Sequence, residues 1–144
     1  MAETFERARA LILDKVSPLP AESVSLVDLV GRVLAEDITA PCDLPRWDNS
    51  AMDGFAVRAQ DCQTQEPLLI DGYIAAGGTA EGLSVRPGTV IKIMTGAPTP
   101  VGCDAIVPVE ETEEQNGQIV VKCRVKVGDH LRVCGEDVKQ GEVV

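Results

Sequence analysis

Three short segments pair a tight turn with polar side chains, and chemistry is sought there first. The first runs from Pro45 to Val57, with Asp48, Asn49, Ser50 and Asp53 ahead of the apolar run Phe55–Val57. Two carboxylates with an amide and a hydroxyl between them can present oxygens to a divalent cation or accept hydrogen bonds from a substrate. The same residue types also cap turns through side-chain-to-backbone bonds, and on residue type alone that use is favoured. The second segment is Ile93-Met94-Thr95-Gly96-Ala97-Pro98. A strand ending in a glycine turn can aim the Thr95 hydroxyl and successive backbone N–H groups at an anion such as phosphate. Gly96 can equally serve backbone geometry alone. The Gly-Lys-Ser/Thr end of a Walker loop is missing and no G-x-G-x-x-G opens a helix, so dinucleotide binding has no support. In the third segment Arg132, Glu136 and Asp137 flank Gly135. That acid pair suits either a metal site or a surface ion pair with Arg132.

Other chemistries are disfavoured. The five cysteines (42, 62, 103, 123 and 134) form no C-x-x-C pair, and His130 is the one histidine. A zinc site of ordinary spacing is thereby nearly excluded, and buried inert thiols are expected. Thirteen basic residues against twenty-three acidic ones give a net charge of −10. A chain so acidic lacks the basic face that a nucleic-acid backbone or an anionic membrane needs. No apolar run approaches the length of a membrane span, and Met-Ala-Glu-Thr-Phe-Glu is not a secretory start, so a soluble, cytoplasmic location is expected.

The elements that must position these segments are read from periodicity. Phe5, Ala8, Ile12 and Val16 recur on one face, predicting a helix over 4–16 that Ser17-Pro18-Leu19-Pro20 ends. Ser23 to Leu26 is compatible with a short strand. Leu26, Leu29, Val30, Val33 and Leu34 predict a second short helix reaching about Arg32. From Ala40 onward glycine and proline punctuate short apolar runs: Phe55–Val57, Leu68–Ile70, Val90–Met94 and Ala105–Val109. The clearest strand is Ile119–Val127, alternating over nine residues and preceded by the tight-turn pair Asn116-Gly117, with Val107–Glu111 as the expected hairpin partner. The run Glu110–Glu114 is expected at a solvated edge. Together these predict a mixed α+β fold. Residues 1–40 and 125–144 form a helical, elongated lobe, and 41–124 a strand-rich lobe inserted in it. The end at Val143-Val144 is compatible with a piece of a longer protein.

Taken in order and spacing, Asp48-Asn49-Ser50-Ala51-Met52-Asp53-Gly54-Phe55-Ala56-Val57, Met94-Thr95-Gly96-Ala97-Pro98 and Gly135-Glu136-Asp137 resemble the N-terminal region of the MoeA family. These are the molybdopterin molybdenumtransferases, and the same module begins the E domain of gephyrin and of its plant counterpart. Gly31-Arg32-Val33-Leu34-Ala35-Glu36-Asp37 is similar to the family as well, and the resemblance covers essentially the whole chain. It implies a reaction in which adenylylated molybdopterin loses its adenylate by hydrolysis and receives molybdate, assisted by a divalent cation such as Mg²⁺. It implies a homodimer, fed by a molybdopterin adenylylating protein. The site would be a cleft between the strand-rich lobe of one subunit and later domains of the other. By motif match Asp53 is the essential acid and Thr95 contacts substrate. Asp48, Asn49, Ser50, Gly96 and Asp137 line the substrate site, and Asp53 and Asp137 are the implied cation ligands. The family's pterin-binding domain, its C-terminal barrel and the molybdate pocket there lie outside this sequence. The chain alone is therefore expected to be inactive and not to hold pterin tightly. The alternative is a non-catalytic dimerisation or scaffold module, a role its E-domain relatives also serve.

Overall fold

A computed structural model describes residues 4–144, and contacts divide the chain into two units at residues 37 and 38. In the first, helix α1 spans Phe5–Leu13. Thr4 caps it, its hydroxyl accepting from the Arg7 N–H at 3.3 Å. The helix ends three residues before Val16, and none of its residues is buried. The second expected helix is a single 3₁₀ turn at Leu26–Asp28, and Ser23–Leu26 forms no strand. Gly31 takes a φ of 83° immediately beyond, and Val30 and Val33 are 95% and 93% exposed. Helical periodicity without a surface to bury it against does not repay nucleation. The expected helical lobe thus reduces to one helix and one turn.

The second unit is built on a six-stranded sheet. Its strands are β2 (Gly54–Val57), β3 (Leu68–Ile74), β4 (Thr89–Ile93), β5 (Ala105–Pro108), β6 (Thr112–Gln115) and β7 (Gln118–Val121), in the order β5-β2-β4-β3-β7-β6. Only β3 and β4 run parallel; the other neighbours are antiparallel. The apolar runs read from the sequence are β2, β4 and the start of β3 in the sheet's interior and β5 at its edge, and their apolar character reflects cover on both faces of the sheet. Phe55, Val57, Val90, Val107 and Ile119 pack in one core cluster, whereas Ala56, Ile91, Ile93, Ile106 and Ile74 pack in another. Gly54 is obligatory: a Cβ there would lie 2.1 Å from the Val107 carbonyl oxygen.

The hairpin forms around Asn116-Gly117, both at positive φ (52° and 75°), as a two-residue I′-type turn demands. Its other arm is β6, not Val107–Glu111, because Val107 is taken by Phe55 across β2. The acidic run does lie at an edge: Glu113 pairs with Lys122 at 3.0 Å and Glu114 with Lys92 at 2.8 Å. Strand β7 stops at Val121, short of Val127. Alternate burial continues to Val125, but the Val125 carbonyl accepts from the Gln63 side chain at 3.2 Å instead of a neighbouring strand.

Residues 125–144 group with this unit, not with the N-terminal segment. They return beside 38–50: the Leu44 N–H donates to the Val138 carbonyl and the Ala40 N–H to the Glu142 carbonyl, each at 2.8 Å. A two-stranded ladder joins β1 (Asn49–Ser50) to β8 (Leu131–Arg132).

Candidate functional site

The three polar turns converge because the chain threads Asn49 and Ser50 between the other two segments. On one side the Ser50 N–H donates to the Ala97 carbonyl (3.1 Å) and the Gly96 N–H to the Ser50 carbonyl (2.8 Å). On the other, Asn49 lies in register with Arg132 and the Ala51 N–H donates to the His130 carbonyl (2.9 Å). Asp53 follows at the mouth of β2 and Thr95 at the end of β4. The Thr95 N–H and hydroxyl both donate to the same Asp53 oxygen, Oδ1, each at 2.7 Å. These bonds hold the Asp53 carboxyl below the usual aspartate range, the Thr95 hydroxyl being the larger cause and its N–H the second. Oδ2 receives no donor among the described residues. The pair is solvent-facing. It is an anion with one oxygen fixed and one open.

The turn that holds Thr95 does not form the anticipated anion cradle. Its successive N–H groups are already donated: Thr95 to Asp53, Gly96 to Ser50, and Ala97 to the Met94 carbonyl at 3.0 Å. Gly96, at φ 78°, serves the turn's geometry.

Asp48, Asn49 and Ser50 are scaffold in this structure. Asp48 Oδ1 accepts from the Cys134 N–H at 2.8 Å, pinning the third segment to the first. Asn49 is 5% exposed and its amide donates to the Trp47 carbonyl at 3.0 Å. Ser50 is fully buried, its hydroxyl donating to the Met52 carbonyl and accepting from the Met52 N–H. The Asn49 and Ser50 side chains, so committed and covered, do not offer their polar atoms to a ligand, whereas Asp48 is exposed with only Oδ1 engaged. Local bonding to the backbone two residues away, the favoured use by residue type, is the one observed for Asn49 and Ser50.

The third segment is an ion-pair network. Arg132 donates from Nε to Glu136 Oε1 at 2.6 Å and from a terminal nitrogen to Asp137 Oδ2 at 2.5 Å. The Glu136 carboxyl lies below its ordinary range, first because the Val133 N–H donates to it and then because of Arg132. Arg132 is pushed up, chiefly by Asp137. Asp137 thus has one oxygen occupied by a cation already present. No group of three or more His, Cys, Asp or Glu converges among the described residues. A cavity of about 400 Å³ opens elsewhere, between Cys62–Gln65 and Val121–Arg124, and none of the expected site residues lines it. Of the five thiols only Cys62 is buried, the other four being partly exposed, and burial pushes Cys62 up to about 12 and Cys103 to about 11.

Comparison with known proteins fits this arrangement. Residues 3–144 match the family described as the MoeA N-terminal region (domain I and II). The chain belongs to that family. It is 41% identical over 148 residues to the molybdopterin molybdenumtransferase of Synechococcus elongatus, covering 98% of this chain and 37% of that protein. It is 38% identical to the Haemophilus influenzae protein of the same name, covering 98% of this chain and 35% of the other. The crystal structure of the molybdopterin biosynthesis moeA protein from Pyrococcus horikoshii OT3 superposes with a TM-score of 0.86 at 38% identity, over 96% of this chain and 38% of that one. The chain therefore spans little more than a third of the length of these relatives. Among the described residues no helix is long and apolar enough to cross a membrane.

Proposed function

We propose that this chain is the N-terminal part of a molybdopterin molybdenumtransferase and supplies one wall of its site. Adenylylated molybdopterin would be hydrolysed there at the adenylate and loaded with molybdate. The observation that carries this is the Asp53–Thr95 pair. A carboxylate held below its ordinary range is a poor proton donor or acceptor near neutral pH, and a good permanent anion. Thr95 orients it, so the open Oδ2 presents its lone pairs outward.

That donor suits a hard cation. Mg²⁺ is held by one or two carboxylates together with water and substrate phosphate oxygens, not by an all-protein cage. Asp53 Oδ2 would be its principal protein ligand, with the oxygen of Asp137 that Arg132 leaves free as the second. When bound, the cation would neutralise charge on the phosphate oxygens of a cleaving anhydride. What this chain's own residues do is fix the carboxylate: Thr95 through two hydrogen bonds, and Asp48 and Ser50 by locking the backbone around it. The proposal includes a homodimer whose later domains close the cleft, and delivery of substrate by a molybdopterin adenylylating protein.

The test is a hybrid in which this chain replaces the matching region of the Synechococcus elongatus relative. The hybrid is expected to insert molybdate, and its Asp53→Asn form to fall to background while keeping its circular dichroism. Asn keeps the oxygen that Thr95 donates to and loses the charge. A folded Asp53→Asn hybrid with unchanged turnover overturns the proposal and favours a scaffold role.

A further inference from the structure

We infer that Asn116 is a site of spontaneous covalent modification, where the side-chain amide is exchanged, through a cyclic imide with Gly117, for the carboxylate of aspartate or isoaspartate. The exchange needs a backbone N–H free to attack, a side-chain amide free to be attacked, and no bulk between them. The chain has two asparagines, and they stand at opposite extremes. Asn49 is 5% exposed and its amide donates to the Trp47 carbonyl at 3.0 Å. The N–H that would attack it, that of Ser50, donates to the Ala97 carbonyl at 3.1 Å. Asn116 and Gly117 are both exposed, at the tip of the β6–β7 hairpin. Among the described residues neither the Asn116 side chain nor the Gly117 N–H has a hydrogen-bond partner, and a Cβ at Gly117 would meet nothing within 4 Å. The turn is held by the Gln115–Gln118 pair and by the Ile70 N–H, which donates to the Gly117 carbonyl at 2.9 Å. Opening a loop tip costs far less than opening a covered strand, so the rotation that brings the Gly117 nitrogen to Asn116 Cγ is accessible to the folded chain.

The step balances with water and hydroxide alone. The Gly117 nitrogen gives its proton to hydroxide and bonds to Asn116 Cγ. The bond from Cγ to the side-chain nitrogen breaks, and that nitrogen leaves as ammonia. Water then adds to one of the two imide carbonyls. Opening at Cγ leaves aspartate. Opening at the main-chain carbonyl leaves isoaspartate, with the backbone lengthened by one methylene. A two-residue turn with both φ values positive, 52° and 75°, has no slack for the extra carbon. The isoaspartyl chain therefore loses pairing between β6 and β7 and gains a negative charge.

The test incubates the folded 144-residue chain at mildly alkaline pH and follows each asparagine by peptide mass spectrometry, with methyl acceptance from an isoaspartyl methyltransferase as a second readout. Residue 116 is expected to convert to the acid and to yield methyl-accepting isoaspartate. Asn49 should react at least about a hundredfold more slowly, because a covered group reacts in proportion to its open population. Unfolding in urea should raise the rate at Asn49 far more than at Asn116. A folded chain whose Asn116 stays an amide while the same chain in urea converts overturns the inference, and so does an Asn49 that keeps pace with Asn116. The isoaspartyl chain, separated on anion exchange by its added charge, should exchange the Ile119 amide faster than the unmodified chain. Asn116→Asp adds the same charge with an ordinary backbone and should exchange Ile119 more slowly than the isoaspartyl form. Equal exchange at Ile119 in the isoaspartyl and unmodified chains overturns the loss of pairing.

Discussion

Replacing Gly54 by alanine puts a methyl carbon 2.1 Å from the Val107 carbonyl oxygen, 2.9 Å from its carbonyl carbon and 3.0 Å from the Pro108 Cα. All three obstacles are backbone in a strand that is itself buried, so no side chain can swing away. Restoring the 3.4 Å of ordinary contact requires β2 and β5 to separate by about 1.3 Å at this point. Strand β2 cannot retreat freely, because Gly54 is also in register with Ile93 of β4 on its other side. Overpacking of this kind costs about 1–3 kcal/mol, with the upper end expected against backbone. For a unit of this size each kcal/mol lowers the Tm by about 4 °C, giving a drop of about 4 to 12 °C. The site moves with it. Asp53 is the preceding residue, its carbonyl accepts from the Val109 N–H at 3.1 Å, and its carboxylate meets Thr95 at 2.7 Å. A shift near 1 Å takes those bonds past hydrogen-bonding distance. Thermal melts and an NMR titration of the Asp53 carboxyl check both consequences, with Gly77→Ala as control. Gly77, unlike Gly54, has a positive φ (73°), and it has open space around its Cβ position. Its substitution should cost about 1 kcal/mol and leave Asp53 titrating as before. A Gly54→Ala chain that melts with the wild type, or whose Asp53 still titrates low, refutes the close-approach account.

Three further outcomes follow from the same contacts. Thr95→Val removes the larger of the two causes that depress Asp53 and keeps the N–H, so the titration midpoint should rise part of the way toward ordinary aspartate. Because the folded-state value is the lower one, these bonds stabilise the fold above the ordinary aspartate range. Their contribution is lost as pH falls through the depressed value, so urea melts of Thr95→Val and wild type should differ near neutrality and converge in acid. Cys103 and Cys123, raised from 9.0 to about 11, should alkylate at pH 8 about a hundredfold more slowly in the native chain than unfolded. Asn116→Ala, at a φ of 52°, should cost about 1 kcal/mol and speed amide exchange at Ile119, as the β6–β7 hairpin loosens.

What could be read from the sequence was what is decided locally. Asn116-Gly117 specifies its turn wherever it sits, since the positive φ at both positions is a property of the pair. The runs around Phe55, Val90 and Ile106 announce strands because residues buried on both faces leave no polar alternation. The hairpin partner was not legible, because Thr112–Gln115 is a polar edge strand with no apolar period. The second helix failed for the opposite reason. Leu26, Leu29, Val30 and Val33 have the right spacing, but spacing alone does not bury them. At the site, Asp53 and Thr95 were each legible as a turn-held polar group, and the family resemblance set both at one site; their direct bond is what the structure adds. For Asn49 and Ser50 residue type pointed to turn capping and the resemblance to the substrate, because the atoms that bind a ligand are the atoms that cap a turn.

That ambiguity bears on how loss of activity is interpreted in this motif. Ser50 is fully buried, donates to the Met52 carbonyl and accepts from the Met52 N–H at 3.3 Å. Ser50→Ala leaves that turn without its partner and should cost about 1–3 kcal/mol. The backbone that Ser50 shares with Gly96 and Ala97 then loosens, and Thr95 with it, so activity of the hybrid should fall together with its Tm. Asp53→Asn should behave differently, losing turnover with a smaller fall in Tm than Ser50→Ala, since its amide oxygen still accepts from Thr95 although the charge is gone. Plotting activity against stability for both variants separates a scaffold residue from one that offers its charge to the reaction. A Ser50→Ala hybrid that melts with the wild type yet has lost turnover would return Ser50 to the substrate and undo its assignment to the scaffold.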